Sequence, residues 1–400
     1  MPGLARLIAL YLPQYHPIPE NDEWWGKGFT EWTNTAKAKK LFRNHYQPHV
    51  PADLGFYDLR LPEARQSQAD LARAYGIEGF CYYHYWFAGR RILERPFQEV
   101  LESSQPDFPF CLCWANETWC GVWHGAPNKI LIEQTYPGPK DHEAHFAALL
   151  PAFADPRHIR VDNKPLFLIY KPEKLPHSKQ ALAQWRAMAK DAGLDGLYLL
   201  GVNSSKAWNP LEHGFDAKVF PPPFHLRKWV SRRNPLRWLQ NRYELWKGLP
   251  TFHPFGKLLQ HEAEHRDEPY ECYSCAIHAW DNTPRSGSNG VVVTGSNPEQ
   301  YGRLLRACIQ KTQHLDPDHR LIFLKSWNEW AEGNHLEPDI QHGHAYLETI
   351  RTVLDTFQNS GPADRSDESA TRKPSSPPVH AGRPMHTGHE ALDPQRDSRQ

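Results

Sequence analysis

The sequence predicts an α/β protein built as a single (β/α)8 TIM barrel with long loops after its strands. Three observations lead there. Eight short apolar runs mostly alternate with segments of helical spacing. No glycine-rich dinucleotide fingerprint follows the first run, which favours a closed barrel over an open sheet. Polar and aromatic residues gather just after the apolar runs, where such a barrel builds its active site.

The first strand is read at Arg6–Leu12, ended by the polar loop Pro13-Gln14-Tyr15-His16-Pro17. An irregular segment then runs to about Leu61; loops of that length are usually functional or disordered, and this one is too aromatic for disorder. Pro62–Tyr75 has helical spacing with Pro in its first turn. The second strand, Ile77–Tyr83, runs into His84-Tyr85-Trp86, and Ile92–Ser103 is helical. The third, Phe108–Trp114, ends in Ala115-Asn116-Glu117-Thr118-Trp119, before a helix at His142–Phe153. Pro165–Tyr170 and the helix Lys179–Ala192 form the fourth unit. Gly196–Val202 ends in Asn203, and a shorter run, Phe215–Phe220, ends in three prolines. The segment 224–268 is the least readable, with helical fragments and five basic residues within Arg227–Arg237. Cys272–Ala279 leads to Trp280-Asp281-Asn282-Thr283-Pro284, then a helix at Pro298–Gln313. Leu321–Leu324 begins the eighth strand, and His344–Phe357 closes the barrel. The catalytic domain is thus expected over 1–360. Residues 361–400, rich in Ser, Pro, Arg, His and Asp, are expected to be a disordered tail.

Forty-six basic and 46 acidic residues balance, so net charge favours neither nucleic acid nor an anionic membrane as a partner. No apolar stretch approaches the roughly 20 residues of a membrane span. The short apolar run near the N-terminus stops at Pro13 with no small-residue cleavage site, so it reads as a strand rather than a signal peptide. Seven cysteines are an odd number without framework spacing, which reads as buried free thiols in a reducing, cytoplasmic compartment. Cys272 and Cys275, placed in one strand, would point to opposite faces, and the 23 histidines show no ligand spacing. No metal and no cofactor are expected.

The chemistry is concentrated in Leu321–Pro338, LIFLKSWNEWAEGNHLEP. Glu329 and Glu332 stand three residues apart among Asn328, Trp327 and Trp330. On a helical turn their Cβ atoms would lie roughly 5–6 Å apart on one side. That is compatible with the carboxyl separation of about 5–5.5 Å in retaining glycosidases. Indoles add flat faces that pack on sugar rings. The plainer reading is acidic residues at a helix N-terminus, but a dipole requires neither the indoles nor Asn328. Substrate contacts are expected from Gln14, His16, Trp25, His84, Trp86, Asn116, Glu117, Asn203, Trp280, Asp281, Asn328 and Trp330, all on the loops after strands. Glu117 is the rival for a carboxylate role; otherwise it starts a helix or accepts from a neighbouring side chain. Asp281 binds hydroxyls or forms a turn with Asn282 and Pro284. Trp24, Trp25 and Trp32 stack on sugar or pack the long loop down. Arg90-Arg91 and Arg227–Arg237 meet a donor phosphate or are a solvated face, the commoner case where no phosphate loop stands beside them.

Several stretches in order resemble one family: YLPQYHPIPENDEWWGKGFTEWTN, HYQPHVPADLGFYDLR, GIEGFCYYHYWFAGRRILERP, FPFCLCWANETW, GFDA, WDNTPR and SWNEWAEGNHLEPD. They are similar to the WbsX-type proteins of bacterial polysaccharide biosynthesis over roughly residues 5–355. Those proteins in turn resemble family 99 glycoside hydrolases, the endo-α-1,2-mannosidase and mannanase group, through Asn328-Glu329-Trp330-x-Glu332-Gly333. The resemblance implies a barrel acting on a mannose-like oligosaccharide or polysaccharide in lipopolysaccharide or O-antigen metabolism. It implies a retaining mechanism in which Glu329, ionised, takes the proton of the sugar 2-hydroxyl. That oxygen attacks C1, and Glu332 protonates the leaving oxygen. Ala331 departs from the hydrolases, which usually carry His there, and so bears on linkage and substrate contacts. The WbsX group is commonly described as glycosyltransferases, so transfer from an activated sugar is one alternative, and an inactive glycan-binding barrel is another.

Overall fold

Eight parallel strands close on themselves. They are β1 (Arg6–Tyr11), β2 (Gly79–His84), β3 (Phe110–Trp114), β4 (Lys164–Ile169), β5 (Tyr198–Val202), β6 (Ala217–Phe220), β7 (Cys272–Ile277) and β8 (Leu321–Lys325). Each pairs with the next in chain order, and β8 pairs with β1 through Leu7 opposite Ile322 and Ile8 opposite Phe323. The structure is a computed structural model that describes residues 4–121, 126–222, 246–263 and 268–359, together with 236, 239, 242 and 243. The expected tail at 361–400 and the five basic residues of the stretch Arg227–Arg237 lie outside the described residues.

The strands read as near-continuous apolar runs because both faces are covered. Every residue of β2, β3, β5, β6 and β8 is buried. Helices cover the outside by their apolar stripes. The helix Pro62–Ala74 buries Arg65, Gln68, Ala69 and Ala72, one face at helical spacing. Pro298–Thr312 buries Tyr301, Leu304, Leu305, Cys308 and Ile309, and starts on Asn297, whose side chain accepts the backbone N–H of Gln300. The helix Ala345–Asn359 buries Leu347, Ile350 and Val353 against the same wall.

Two features differ from the expectation. The segment before Leu61 is not irregular throughout: it holds two short helices, Pro19–Trp25 and Glu31–Ala36, the second opened by a capping box on Thr30 and Thr33. The stretch Thr251–Pro254 pairs in parallel with Val291–Thr294, a small ribbon outside the barrel. Its partners are 40 residues apart, so no local pattern announces it. The seven cysteines are free, and Cys81, Cys111, Cys113, Cys275 and Cys308 are buried. Among the described residues no helix is long and apolar enough to cross a membrane.

Candidate active site

Past Lys325, the chain of β8 is fastened to the end of β1. The Trp327 N–H donates to the Leu10 carbonyl at 2.8 Å. The Asn328 amide then reads Leu12 twice, accepting its N–H at 2.7 Å and donating to its carbonyl at 3.0 Å. Asn328–Glu329 pairs antiparallel with Asn334–His335, and the tip between them, Trp330–Glu332, is a 3-10 turn. Ser326 Oγ accepts the Glu329 N–H at 3.0 Å and donates to the Asn334 carbonyl at 2.6 Å, bracing the hairpin from inside. The β7 loop holds the tip: the Asp281 N–H donates to the Glu332 carbonyl at 2.6 Å. Gly333 closes the turn at φ +55°, and a Cβ there would lie 2.9 Å from that of Asp281.

The two carboxylates meet one guanidinium. Arg285 donates from Nη1 to Glu332 at 2.6 Å, from Nη2 to Glu329 at 3.3 Å, and from Nε to Glu31 at 2.7 Å. Lys325 Nζ lies 3.9 Å from Glu332 Oε2 and over the ring of Trp280. Three carboxylates thus surround two cations, and one retained proton makes the cluster neutral. Burial, then the charge of Glu332, pushes the Glu329 carboxyl up to about 7, although Arg285 and Lys325 pull it down. Burial opposes the charge of Lys325, but Tyr170 and the two carboxylates outweigh it and hold the ammonium above its usual value. Glu332 Oε2 is buried with no hydrogen-bond partner among the described residues.

Two cavities adjoin here. One, of about 550 Å³, is lined by Gln14, Trp25, Phe29, Glu31, Tyr83, Tyr85, Trp119, Arg285 and Glu329 among others. The other, of about 970 Å³, reaches into the barrel mouth. Its floor includes Leu10, Cys113, Leu168, Cys275 and Phe323, and Asn203, Trp208 and Trp280 form part of its wall. Glu117, Tyr170, Lys325 and Glu332 line both.

Of the residues expected from sequence, Glu329, Glu332, Gln14, Trp25, Glu117, Asn203 and Trp280 line this cleft. Glu117 also faces Lys174 at 3.5 Å, and Asn203 donates to Glu173. The others face elsewhere. His16 is buried against the Pro13 carbonyl, and burial lowers its pKa to about 4. His84 contacts His145 at 2.8 Å, and Trp86 stacks on His145 and donates to Asp141. Asn116 joins the ends of β3 and β4, accepting the Lys171 N–H and donating to its carbonyl. Asp281 accepts from Gln47 and Thr283 and pairs with His45, the turn role rather than a hydroxyl contact. Asn328 and Trp330 lie beneath the turn, with the Trp330 N–H on Glu337 at 2.6 Å. Trp32 is packing, set between Tyr15, Tyr57 and Trp330. Arg90 pairs with Glu20 and Arg91 with Gln98.

Arg285, Glu31, Lys325, Tyr83, Tyr85 and Tyr170 were not singled out from sequence. Arg285 closes the motif WDNTPR and Glu31 sits in GFTEWTN, so both lie within stretches that carry the family resemblance. Lys325 was hidden as the last residue of an apolar strand.

The parallel barrel with polar side chains on the loops after its strands is a fold shared with solved proteins. A solved glycoside hydrolase-like protein superposes with TM-score 0.57 at 13% identity, covering 88% of this chain and 94% of that one. The GH99 endo-alpha-mannosidase of Bacteroides thetaiotaomicron, solved with bis-tris-propane, gives 0.55 at 14% identity, covering 90% and 98%. The chain belongs to the family Glycosyltransferase WbsX, whose model matches residues 7–350. Relatives described as uncharacterized protein WxcX occur in two strains of Xanthomonas campestris pv. campestris. They are 40% identical over 358 residues and 39% over 356, in each case 88% of this chain. The chain spans about half the length of these relatives, 50% in each case.

Gly333→Ala places a side chain in a left-handed conformation and against Asp281. It is expected to lower stability by at least about 1–2 kcal/mol, read as a fall in midpoint in denaturant unfolding. Glu337 supplies a second test. It accepts from Trp330, Gln68 and Tyr57, yet burial raises its carboxyl to about 7. A raised carboxyl contributes stability while protonated and loses it as pH rises from the ordinary glutamate range through about 7. A Glu337→Gln variant should therefore gain in Tm relative to the parent between pH 5 and 8; a pH-independent difference would refute the buried-acid reading.

Proposed function

We propose that this chain is a carbohydrate-active enzyme that cleaves or transfers a mannose-like glycosidic bond in bacterial surface-polysaccharide metabolism, with Glu329 and Glu332 as its acid–base pair. The observation that carries the reading is the placement of two buried carboxylates on one short turn, where two sugar-sized cavities adjoin. The family and the barrel shared with a GH99 endo-alpha-mannosidase support it. Residues 1–360 form the catalytic domain of this proposal, and the cytoplasm is the proposed location.

A glycan lies across Glu332, with sugar units in both cavities and aromatic contacts from Trp25 on one side and Trp280 on the other. Glu329 takes the 2-hydroxyl proton while O2 bonds to C1. The C1–oxygen bond breaks and the leaving oxygen takes the proton of Glu332, giving a 1,2-anhydro sugar. An incoming hydroxyl then gives its proton to Glu332 and bonds to C1 as the C1–O2 bond breaks, and O2 recovers its proton from Glu329. A carboxyl raised to about 7 suits a base working near neutrality. Arg285 donates to both carboxyls and so orients them. The family description favours a second reading, transfer from an activated sugar; saturable nucleotide-sugar binding would support it over hydrolysis.

On an aryl α-mannoside or a mannan, kcat/KM should fall about tenfold per pH unit below about pH 7, because Glu329 must be ionised. An alkaline limb at that pH would instead make Glu329 the proton donor. Losing either carboxylate should lower turnover at least about 10²-fold. Glu332→Gln should be partly rescued by an activated phenol leaving group, and Glu329→Gln should not. A 2-deoxy substrate should be inert; its turnover by the parent would reject 2-hydroxyl assistance and direct attention to Glu117 as a nucleophile. Turnover by the parent that is lost in Glu332→Gln rules out an inactive glycan-binding barrel.

A further inference from the structure

Behind the carboxylate turn lies a second cluster that the proposed sugar chemistry does not use. Backbone bonds bring two distant segments together there: the Ile340 N–H donates to the Val50 carbonyl and the Ala52 N–H to the Pro338 carbonyl. This sets His49, His335 and Asp339, all buried, with one ligand atom of each within 4.8 Å of the others. His49 Nδ1 is 2.8 Å from His335 Nε2, and Asp339 Oδ2 is 4.0 Å from the first and 3.7 Å from the second.

The surroundings orient these atoms as a metal site orients its ligands. His335 Nδ1 faces the Glu337 carbonyl at 2.9 Å, which fixes the proton there and leaves Nε2 with its lone pair toward the cluster. Asp339 Oδ1 is occupied by the N–H groups of Gln341 and His342, at 2.9 and 2.6 Å, which leaves Oδ2 for the cluster. The three groups line a cavity of about 30 Å³, the volume of one small guest. His278 lines the same cavity. It is 2% exposed, its ring is 6.3 Å from that of His335, and its Nδ1 has no hydrogen-bond partner among the described residues. Ligand bonds of about 2.0–2.1 Å would set neighbouring ligand atoms roughly 3.3 Å apart. The three separations lie within roughly 0.7 Å of that value, on both sides of it.

We propose that His49, His335 and Asp339 bind one divalent transition-metal ion of the zinc class, with His278 or water completing its coordination. Two imidazoles and a carboxylate are borderline ligands that suit Zn²⁺ and Co²⁺ rather than Mg²⁺ or Ca²⁺. In the metal-free cluster His49 donates Nδ1–H to His335; binding moves that proton to Nε2 of the same ring, so the imidazole stays neutral. The ion would be a positioning device. The His335 ring stacks on Trp330 with centroids 3.6 Å apart, so fixing His335 fixes the floor of the turn that carries Glu329 and Glu332.

The test is metal uptake, which is independent of whether the chain acts on sugars. The full chain, stripped with a chelator, is titrated with Zn²⁺ against a chromogenic competitor and followed by thermal unfolding. The parent should bind one equivalent more than His49→Gln or Asp339→Asn, and only the parent should gain several degrees in Tm. Equal uptake and equal Tm response in parent and variants would overturn the site and assign the binding to surface histidines. Should both variants fail to fold, Co²⁺ added to the parent decides. Intense visible bands of a four- or five-coordinate ion support the site, and the faint spectrum of octahedral aqua-cobalt rejects it.

Discussion

The carboxylates at the mouth of this barrel are arranged around the guanidinium of Arg285. It collects three carboxylates from two loops, Glu31 after β1 and Glu329 and Glu332 after β8, while itself standing on the loop after β7. Three buried carboxylates within reach of each other would repel, and each would shed its charge on losing water. One planar donor with nitrogens facing each of them makes their coexistence affordable and sets where they point. The same β7 loop holds the turn through its main chain, from the Asp281 N–H to the Glu332 carbonyl. The carboxylate pair is therefore placed by residues some 45 positions earlier as much as by its own turn, since Arg285 is 47 residues from Glu332 and 44 from Glu329.

Beneath the turn is a layer in which polar side chains are buried and mostly satisfied. Tyr15 donates to the Asn328 carbonyl, Tyr57 and Gln68 donate to Glu337, and Trp330 shares that carboxyl. Such a layer adds little net stability, because each group gives up water to join it. It discriminates between arrangements, since a shifted turn would leave several buried groups unpaired. The rigidity expected of a site that moves protons rests on this layer rather than on the apolar barrel wall.

The barrel was legible because parallel strands covered on both faces leave uninterrupted apolar runs, and eight were found where eight strands stand. Glu329 and Glu332 were legible because three-residue spacing survives whether the turn is α or 3-10. Less legible was which polar residue after a strand faces the cleft. Asn116 and Asn203 look alike in sequence, yet one ties two strand ends together and the other lines a cavity. The difference is the direction of one side chain, which depends on loops that no periodicity describes. Lys325 shows the converse: its aliphatic stem passes as part of an apolar run, while its ammonium lies among the carboxylates. His49 and His335 are 286 residues apart and could leave no spacing signature at all.

A family described as glycosyltransferases and a barrel shared with hydrolases are compatible on the proposed chemistry. Forming the anhydro sugar needs only the donor, Glu329 and Glu332. The outcome is decided afterwards, by what reaches C1 while Glu332 can take its proton. Glu332 lines both cavities, whereas Glu329 lines only the smaller, so the larger is the side from which an acceptor is activated. Its wall offers Asn203, Trp208 and Trp280, groups that hold a hydroxylated ring better than they hold water. An acceptor that fills this space displaces the water that would otherwise hydrolyse the intermediate, and the same two carboxylates then transfer instead of cleaving. On the proposed chemistry, the distinction between the two activities lies in occupancy of the larger cavity, not in a different set of reacting groups.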